Sequence, residues 1–178
     1  CALPIFSKPE ITFPLVLLFC DICKLIQTMD FHKGDSLFTS NYPYLSSTSK
    51  TWVQHSHKLV DQVISEFNLD EKSLVAEVAS NDGYLLERLV QRGVPCYGVE
   101  ATKLAADISL NKGHKVYNLF LNRETASRLR DENGAADIVI ANNVFAHVPN
   151  LDDFCEGIKT LLSDSGALII EVQYFAPL

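Results

Sequence analysis

Apolar residues follow two different rhythms along the chain. Between Ser49 and Leu69, the residues Trp52, Val53, Leu59, Val60, Val63, Ile64 and Phe67 recur at threes and fours, the spacing of one helix face. Beyond that helix, short apolar runs alternate with amphipathic stretches. The runs Leu74–Ala79, Cys96–Val99, Lys115–Tyr117, Asp137–Ala141 and Ala167–Val172 predict strands. The stretches Tyr84–Gln91, Thr102–Asn111, Arg123–Asp131 and Leu151–Leu162 predict helices, the first of them closed by Gly93. Five strands separated by helices at this spacing predict a parallel α/β sheet. Residues 1–47 hold strand-like pieces without a sustained period. The expected organisation is therefore an irregular N-terminal module over 1–47, a linking helix over 48–70 and an open α/β domain over 71–178. The last strand ends six residues before the chain does, too few to add an antiparallel edge, so the sheet reads as incomplete and the chain as a fragment.

Composition narrows the partners. The 178 residues are 47% hydrophobic and 21% charged, enough to bury a core and unlike a disordered chain. Fifteen Lys and Arg against 22 Asp and Glu leave a net charge of −7 without any basic block, which argues against nucleic acid. The apolar run Pro14–Cys20 is far shorter than the roughly 18 to 20 residues that span a bilayer. It also lacks the basic flank and cleavage site of a leader, so no membrane association and a cytoplasmic location are expected. Cysteines at positions 1, 20, 23, 96 and 155 form an odd set with one close pair, which argues for reduced thiols. Cys96 and Cys155 fall in strand and helix patterns and read as small core residues.

The chemistry concentrates at the carboxyl ends of the predicted strands, where open α/β sheets bind ligands. Glu77 lies late in the first strand, followed by a turn through Ser80, Asn81, Asp82 and Gly83. Such a tight turn lets backbone amides approach a ligand closely. Glu100 stands at the tip of the second strand, where a carboxylate can accept both hydroxyls of a ribose. Taken singly, the turn and the strand-end acid are ordinary surface features; their joint spacing points to a nucleoside site. Ala79 and Asn81 stand where a Gly-x-Gly-x-x-Gly turn has glycines, leaving less room for a pyrophosphate. That favours S-adenosylmethionine over a nicotinamide dinucleotide. The fourth strand runs into Asn142, Asn143 and, shortly after, His147, which makes His147 a candidate general base or orienting group. His55 and His57 lie on the long helix, and the pattern assigns them no role.

Four segments, Tyr42-Pro-Tyr44-Leu-Ser-Ser-Thr-Ser, Glu77-Val-Ala-Ser-Asn-Asp-Gly-Tyr-Leu-Leu, Gly98-Val-Glu100 and Asn142-Asn-Val-Phe-Ala-His147-Val-Pro, resemble in order and spacing the S-adenosylmethionine-dependent sugar C-methyltransferases. The resemblance implies a Rossmann-like class I methyltransferase sheet behind a small zinc-binding module. It implies that Glu77, Ser80, Asn81 and Gly83 belong to the cofactor loop, with Ser80, Asn81 and Gly83 lining the methionine end. Glu100 would hold the ribose hydroxyls, and Asn142 would sit beside the sulfonium. Tyr42 or Tyr44 and His147 would face the substrate, a nucleotide-linked keto-deoxysugar methylated on the carbon beside its ketone through an enolate. The family continues into a C-terminal domain opening on Tyr-His-Glu-His, a motif this sequence does not contain. After Glu100 the family prefers Pro-Ala-x-Asn, whereas residues 101–104 here read Ala-Thr-Lys-Leu. Of the family's two zinc-binding Cys pairs only Cys20 and Cys23 are present, half of a tetrahedral site, with Cys1 or His32 as potential recruits. Two other functions compete: a non-catalytic nucleoside-binding or interaction domain, and a nicotinamide-dependent oxidoreductase disfavoured by the glycine-poor turn.

Overall fold

A computed structural model of the chain describes residues 12–29 and 44–172. Contacts divide the chain into two compact units, Cys1–Lys33 and Gly34–Leu178, a division earlier than the 47/48 boundary read from the pattern. In the first unit, strands β1 (Leu17–Phe19) and β2 (Ile26–Thr28) pair antiparallel, Phe19 opposite Ile26. The Cys20–Lys24 turn joins them. The Lys24 amide donates to the Cys20 carbonyl at 2.8 Å, and Lys24 takes a left-handed φ of 63°.

The second unit is built on a five-stranded parallel sheet with helices on both faces. Helix α1 (Lys50–Phe67) precedes the sheet; the Ser49 side chain caps its first turn, and Asn68 in the left-handed region ends it. There follow β3 (Val75–Val78), α2 (Leu86–Gln91), β4 (Cys96–Val99), α3 (Lys103–Asn111), β5 (Val116–Tyr117), α4 (Arg123–Asn133), β6 (Ala136–Asn142), α5 (Leu151–Leu161) and β7 (Leu162–Glu171). The spatial order is β5-β4-β3-β6-β7. Chain order therefore reverses between β3 and β6, and such a switch point leaves a crevice at the strands' carboxyl ends.

Residue alternation sorts the core into two layers. Ala76, Val78, Tyr97, Val99, Val139 and Ala141 pack with α4 and α5 through Ala126, Leu129, Phe154 and Ile158. Val75, Ile138 and Ile140 pack on the other face with α1, α2 and α3, through Val60, Val63, Leu86, Leu89 and Ala106. Strands covered on both sides read as continuous apolar runs, as these do. Glu77 is the interruption: it pairs with Gly98 and Ile140, on the α1–α3 side, and is 1% exposed.

Three details depart from the pattern. β7 starts at Leu162 rather than Ala167, because β6 pairs first with Leu162 and, after a register shift, with Ala167 onward. The intervening Ser163, Asp164, Ser165 and Gly166 are too polar to announce a strand. Helix α2 begins at Leu86, two residues later than predicted, since Tyr84 and Leu85 still belong to the turn. Cys155 is exposed rather than in the core. Phe154 and Ile158 mark the buried face of α5, and one residue along a helix turns the next side chain about 100° away. Cys96 is half-buried against the core, and burial, with Glu77 nearby, pushes its thiol up to about 12.

Candidate active site

The turn after β3 keeps the backbone of a glycine-rich loop with few glycines. Ala79, Asn81 and Gly83 have φ of 59°, 48° and 80°. For Ala79 the left-handed conformation costs roughly 1–2 kcal/mol; Asn tolerates it better. Gly83 serves packing: a Cβ there would collide with Ser109 Oγ and His114 Nδ1 at the end of α3. Gly83 thereby seats the loop on α3. Gly98 plays the matching part on β4, since a Cβ there would strike the Ser80 side chain and Leu86.

Glu100 is 5% exposed at the tip of β4, where amide and hydroxyl donors meet both of its carboxyl oxygens. Its Oε1 accepts from the Thr102 amide at 2.7 Å and the Thr102 hydroxyl at 2.5 Å; its Oε2 accepts from the Asn81 amide at 2.8 Å. The strand-end acid is therefore locked to the loop of the neighbouring strand. Glu77 lies on the same sheet face, and its Oε2 has no hydrogen-bond partner among the described residues. Burial first, then the negative Glu100 and Asp82, push its carboxyl well above the ordinary range, so the protonated form is favoured.

Asn142 ends β6 at the switch point. It is 7% exposed, and neither its Nδ2 nor its Oδ1 has a partner among the described residues. The Ser80 hydroxyl is likewise buried and unpaired. Buried amides in a folded protein are nearly always satisfied, so a donor and acceptor left together at the crevice fit a polar ligand group. His147 sits in the short turn Phe145–His147 just past β6 and is exposed. Tyr44 is half exposed, and its carbonyl accepts from Asn81 Nδ2 at 3.1 Å. Tyr42 lies outside the described residues.

Four residues of this edge were not singled out by the pattern. Asn142 pairs with Glu171 at the end of β7, and the Glu171 carboxylate meets His55 Nε2 of α1 at 2.6 Å. Trp52 packs on His55 with ring centroids 5.2 Å apart and on Tyr84 at 6.2 Å. Burial raises the Tyr84 phenol far above its usual range, keeping it protonated. Glu171 is the strand-end carboxylate of β7 and answers to the same rule that found Glu100. His55 carries no sequence signal that separates it from His57.

In the hairpin unit, the Cys23 and Ile22 amides and the Cys23 thiol hold the Cys20 thiol below its usual value. Cys20 and Cys23 supply two ligands, and among the described residues no group of three or more His, Cys, Asp or Glu could hold a metal ion. A structural zinc needs four, so these residues do not complete a site; Cys1 and His32 lie outside the described residues. Among those residues, no helix is long and apolar enough to cross a membrane.

The chain is 30% identical to the C-methyltransferase NovU of Streptomyces niveus over 169 residues, 95% of this chain and 40% of that protein, so it spans about two fifths of that relative's length. Among solved structures, a S-adenosylmethionine-dependent methyltransferase from Clostridium acetobutylicum superposes with a TM-score of 0.54 at 15% identity, covering 66% of this chain and 49% of that one. The magnesium protoporphyrin IX methyltransferase of Synechocystis with bound SAM gives 0.50 at 19% identity, over 62% and 54%. These two likenesses are of fold. Residues 52–177, from the start of α1 through the last strand, match the family described as Methyltransferase domain, and the chain belongs to that family.

Proposed function

We propose that the chain binds S-adenosylmethionine at the β3–β6 switch point and methylates a carbon beside the ketone of a nucleotide-linked deoxysugar. The observation that carries the cofactor is Asn142, a buried amide with donor and acceptor both unpaired, on the sheet face that also holds Glu77 and Glu171. The relative named as a C-methyltransferase, matched over nearly all of this chain, supports carbon as the methylated atom. The sugar rests on the motif around Tyr44, Glu100, Asn142 and His147.

The cofactor supplies an electrophilic methyl group on a sulfonium. Glu100 would take a ribose hydroxyl on Oε2, which accepts a single bond from the protein. Asn142 and Ser80 would meet the polar methionine end with side-chain groups that no other described residue satisfies. With its carboxyl pushed upward by burial, Glu77 would present a neutral donor beside the loop, sparing the site a second buried anion. His147 would take the proton from the sugar carbon, with the Tyr44 phenol facing the sugar from the other side. Holding that carbon against the methyl accounts for much of the rate by positioning alone.

Calorimetric titration with S-adenosylhomocysteine and with NAD tests the cofactor: heat with the first alone is expected, and heat with NAD alone overturns the reading. Mass spectrometry of a keto-sugar nucleotide incubated with the chain and S-adenosylmethionine tests the reaction. A gain of one methyl that disappears in His147→Ala, with unchanged homocysteine-analogue binding, is the expected result. An intact sugar beside normal cofactor binding would favour the non-catalytic nucleoside-binding domain.

A further inference from the structure

Asn81 is placed oddly for a cofactor ligand, because its side chain is already engaged with the backbone ahead of α1. Its Oδ1 accepts from the Ser46 amide at 2.8 Å, and its Nδ2 donates to the Tyr44 carbonyl at 3.1 Å. Its own amide donates to Glu100 Oε2 at 2.8 Å. One residue on, Asp82 Oδ1 accepts from the Ser47 amide at 3.2 Å, while Lys112 Nζ donates to the Asp82 carbonyl at 2.7 Å. Two consecutive loop residues thus grip two consecutive amides of a segment 35 positions earlier. A glycine at position 81 would match the φ of 48° without strain but could make neither side-chain bond.

We infer that Asn81 is a positioning residue that couples the cofactor acid Glu100 to the segment carrying Tyr44, so that filling the cofactor site fixes the substrate-facing side of the crevice. The inference rests on the cofactor proposed above. Glu100 Oε2 accepts one bond from the protein, so a ribose hydroxyl adds to the Asn81 contact instead of replacing it. The loop is then held from both ends, and the bonds from Ser46 and Ser47 open less often. Ser46 is buried under this contact while the Tyr44 side chain remains accessible to a substrate. Linkage is reciprocal: whatever steadies the Tyr44 segment also favours the cofactor.

Amide exchange at Ser46 and Ser47, read by NMR with and without S-adenosylhomocysteine, tests it on the full chain. In the unmodified protein the ligand is expected to slow both amides at least threefold. In Asn81→Gly the slowing should vanish, and by the same linkage the ligand dissociation constant should rise only by about the factor of the lost slowing, roughly threefold. Ser46→Pro removes the N–H donated to Asn81 together with the serine hydroxyl, and proline suits the first position of the short Ser46–Thr48 turn. It should abolish the effect at Ser47, and the double variant should be no worse than either alone. The inference fails if the ligand binds the unmodified protein without changing exchange at these amides. It fails too if Asn81→Gly weakens binding tenfold or more, which makes Asn81 a ligand in its own right, or if the two substitutions add. Absence of any binding to the unmodified protein overturns the cofactor reading and this inference with it.

Discussion

Asn142 and Glu77 are single residues whose environments make opposite demands. The Asn142 amide is buried with no partner among the described residues, so the fold already bears its desolvation. Asn142→Ala removes a group that contributes no bond, and is expected to change unfolding free energy by less than about 1 kcal/mol in either direction. The same substitution should lower affinity for S-adenosylhomocysteine by about tenfold, one lost hydrogen bond in a buried site. A melt and a titration on the same sample separate the two. Glu77 is held neutral, so in the folded state its carboxyl keeps a proton that the unfolded chain releases near pH 4.3, roughly the ordinary value for Glu. Above that pH the unfolded state binds fewer protons, and stability attributable to Glu77 falls as pH rises toward the folded-state value. Glu77→Gln removes this slope. Its stability relative to the unmodified protein should therefore grow between pH 5 and pH 7 in denaturant titrations; a constant difference would mean that Glu77 is charged in the fold. At this scale the sequence was informative wherever position along a strand determines surroundings, as for Glu100 and Asn142. It was silent where surroundings come from distant chain, as for His55 against Glu171 and Asn81 against Ser46.

Elements were legible in proportion to how much of their burial is periodic. β4 appears over Cys96–Val99 as read, and α3, α4 and α5 begin or end within two residues of the pattern. Strand β7 was misjudged because its first half is polar and pairs around a register shift, which hydrophobic spacing cannot report. The start of α2 was misjudged for a related reason. Tyr84 and Leu85 are buried apolar residues on the helical spacing, yet the preceding loop needs them in the turn. Gly83 shows what that loop requires of its neighbours. With φ at 80° and the end of α3 against its α-carbon, Gly83→Ala combines left-handed strain with a steric collision. A loss of about 2–5 kcal/mol is expected, from roughly 1–2 for the backbone and 1–3 for overpacking. Gly93→Ala offers the control, since its φ is similar at 74° and nothing lies within 4 Å of the added carbon. Chemical denaturation of the two variants should show Gly83→Ala the less stable by the steric part alone.

For the molecule as a whole, the net charge is −7, and Glu100 and Glu171 place carboxylates at the ends of two of the five parallel strands beside the cofactor crevice. A sulfonium nucleoside suits that field at the cofactor end of the crevice. Binding to the folded state alone raises stability by mass action, about 2.7 kcal/mol when ligand is present at 100 times its dissociation constant. For a chain of this size each kcal/mol raises the melting temperature by about 2–4 °C, so saturating S-adenosylhomocysteine should shift the melt by about 5–11 °C. NAD at equal concentration should leave it unchanged. Glu100→Gln cannot present two carboxylate oxygens to Thr102, Asn81 and a ribose together, and should lose most of the shift at the same ligand concentration. A full shift in Glu100→Gln would move the ribose contact elsewhere. A salt series adds the electrostatic test: S-adenosylmethionine carries one more positive charge than its demethylated product, so its shift should decline faster as ionic strength rises.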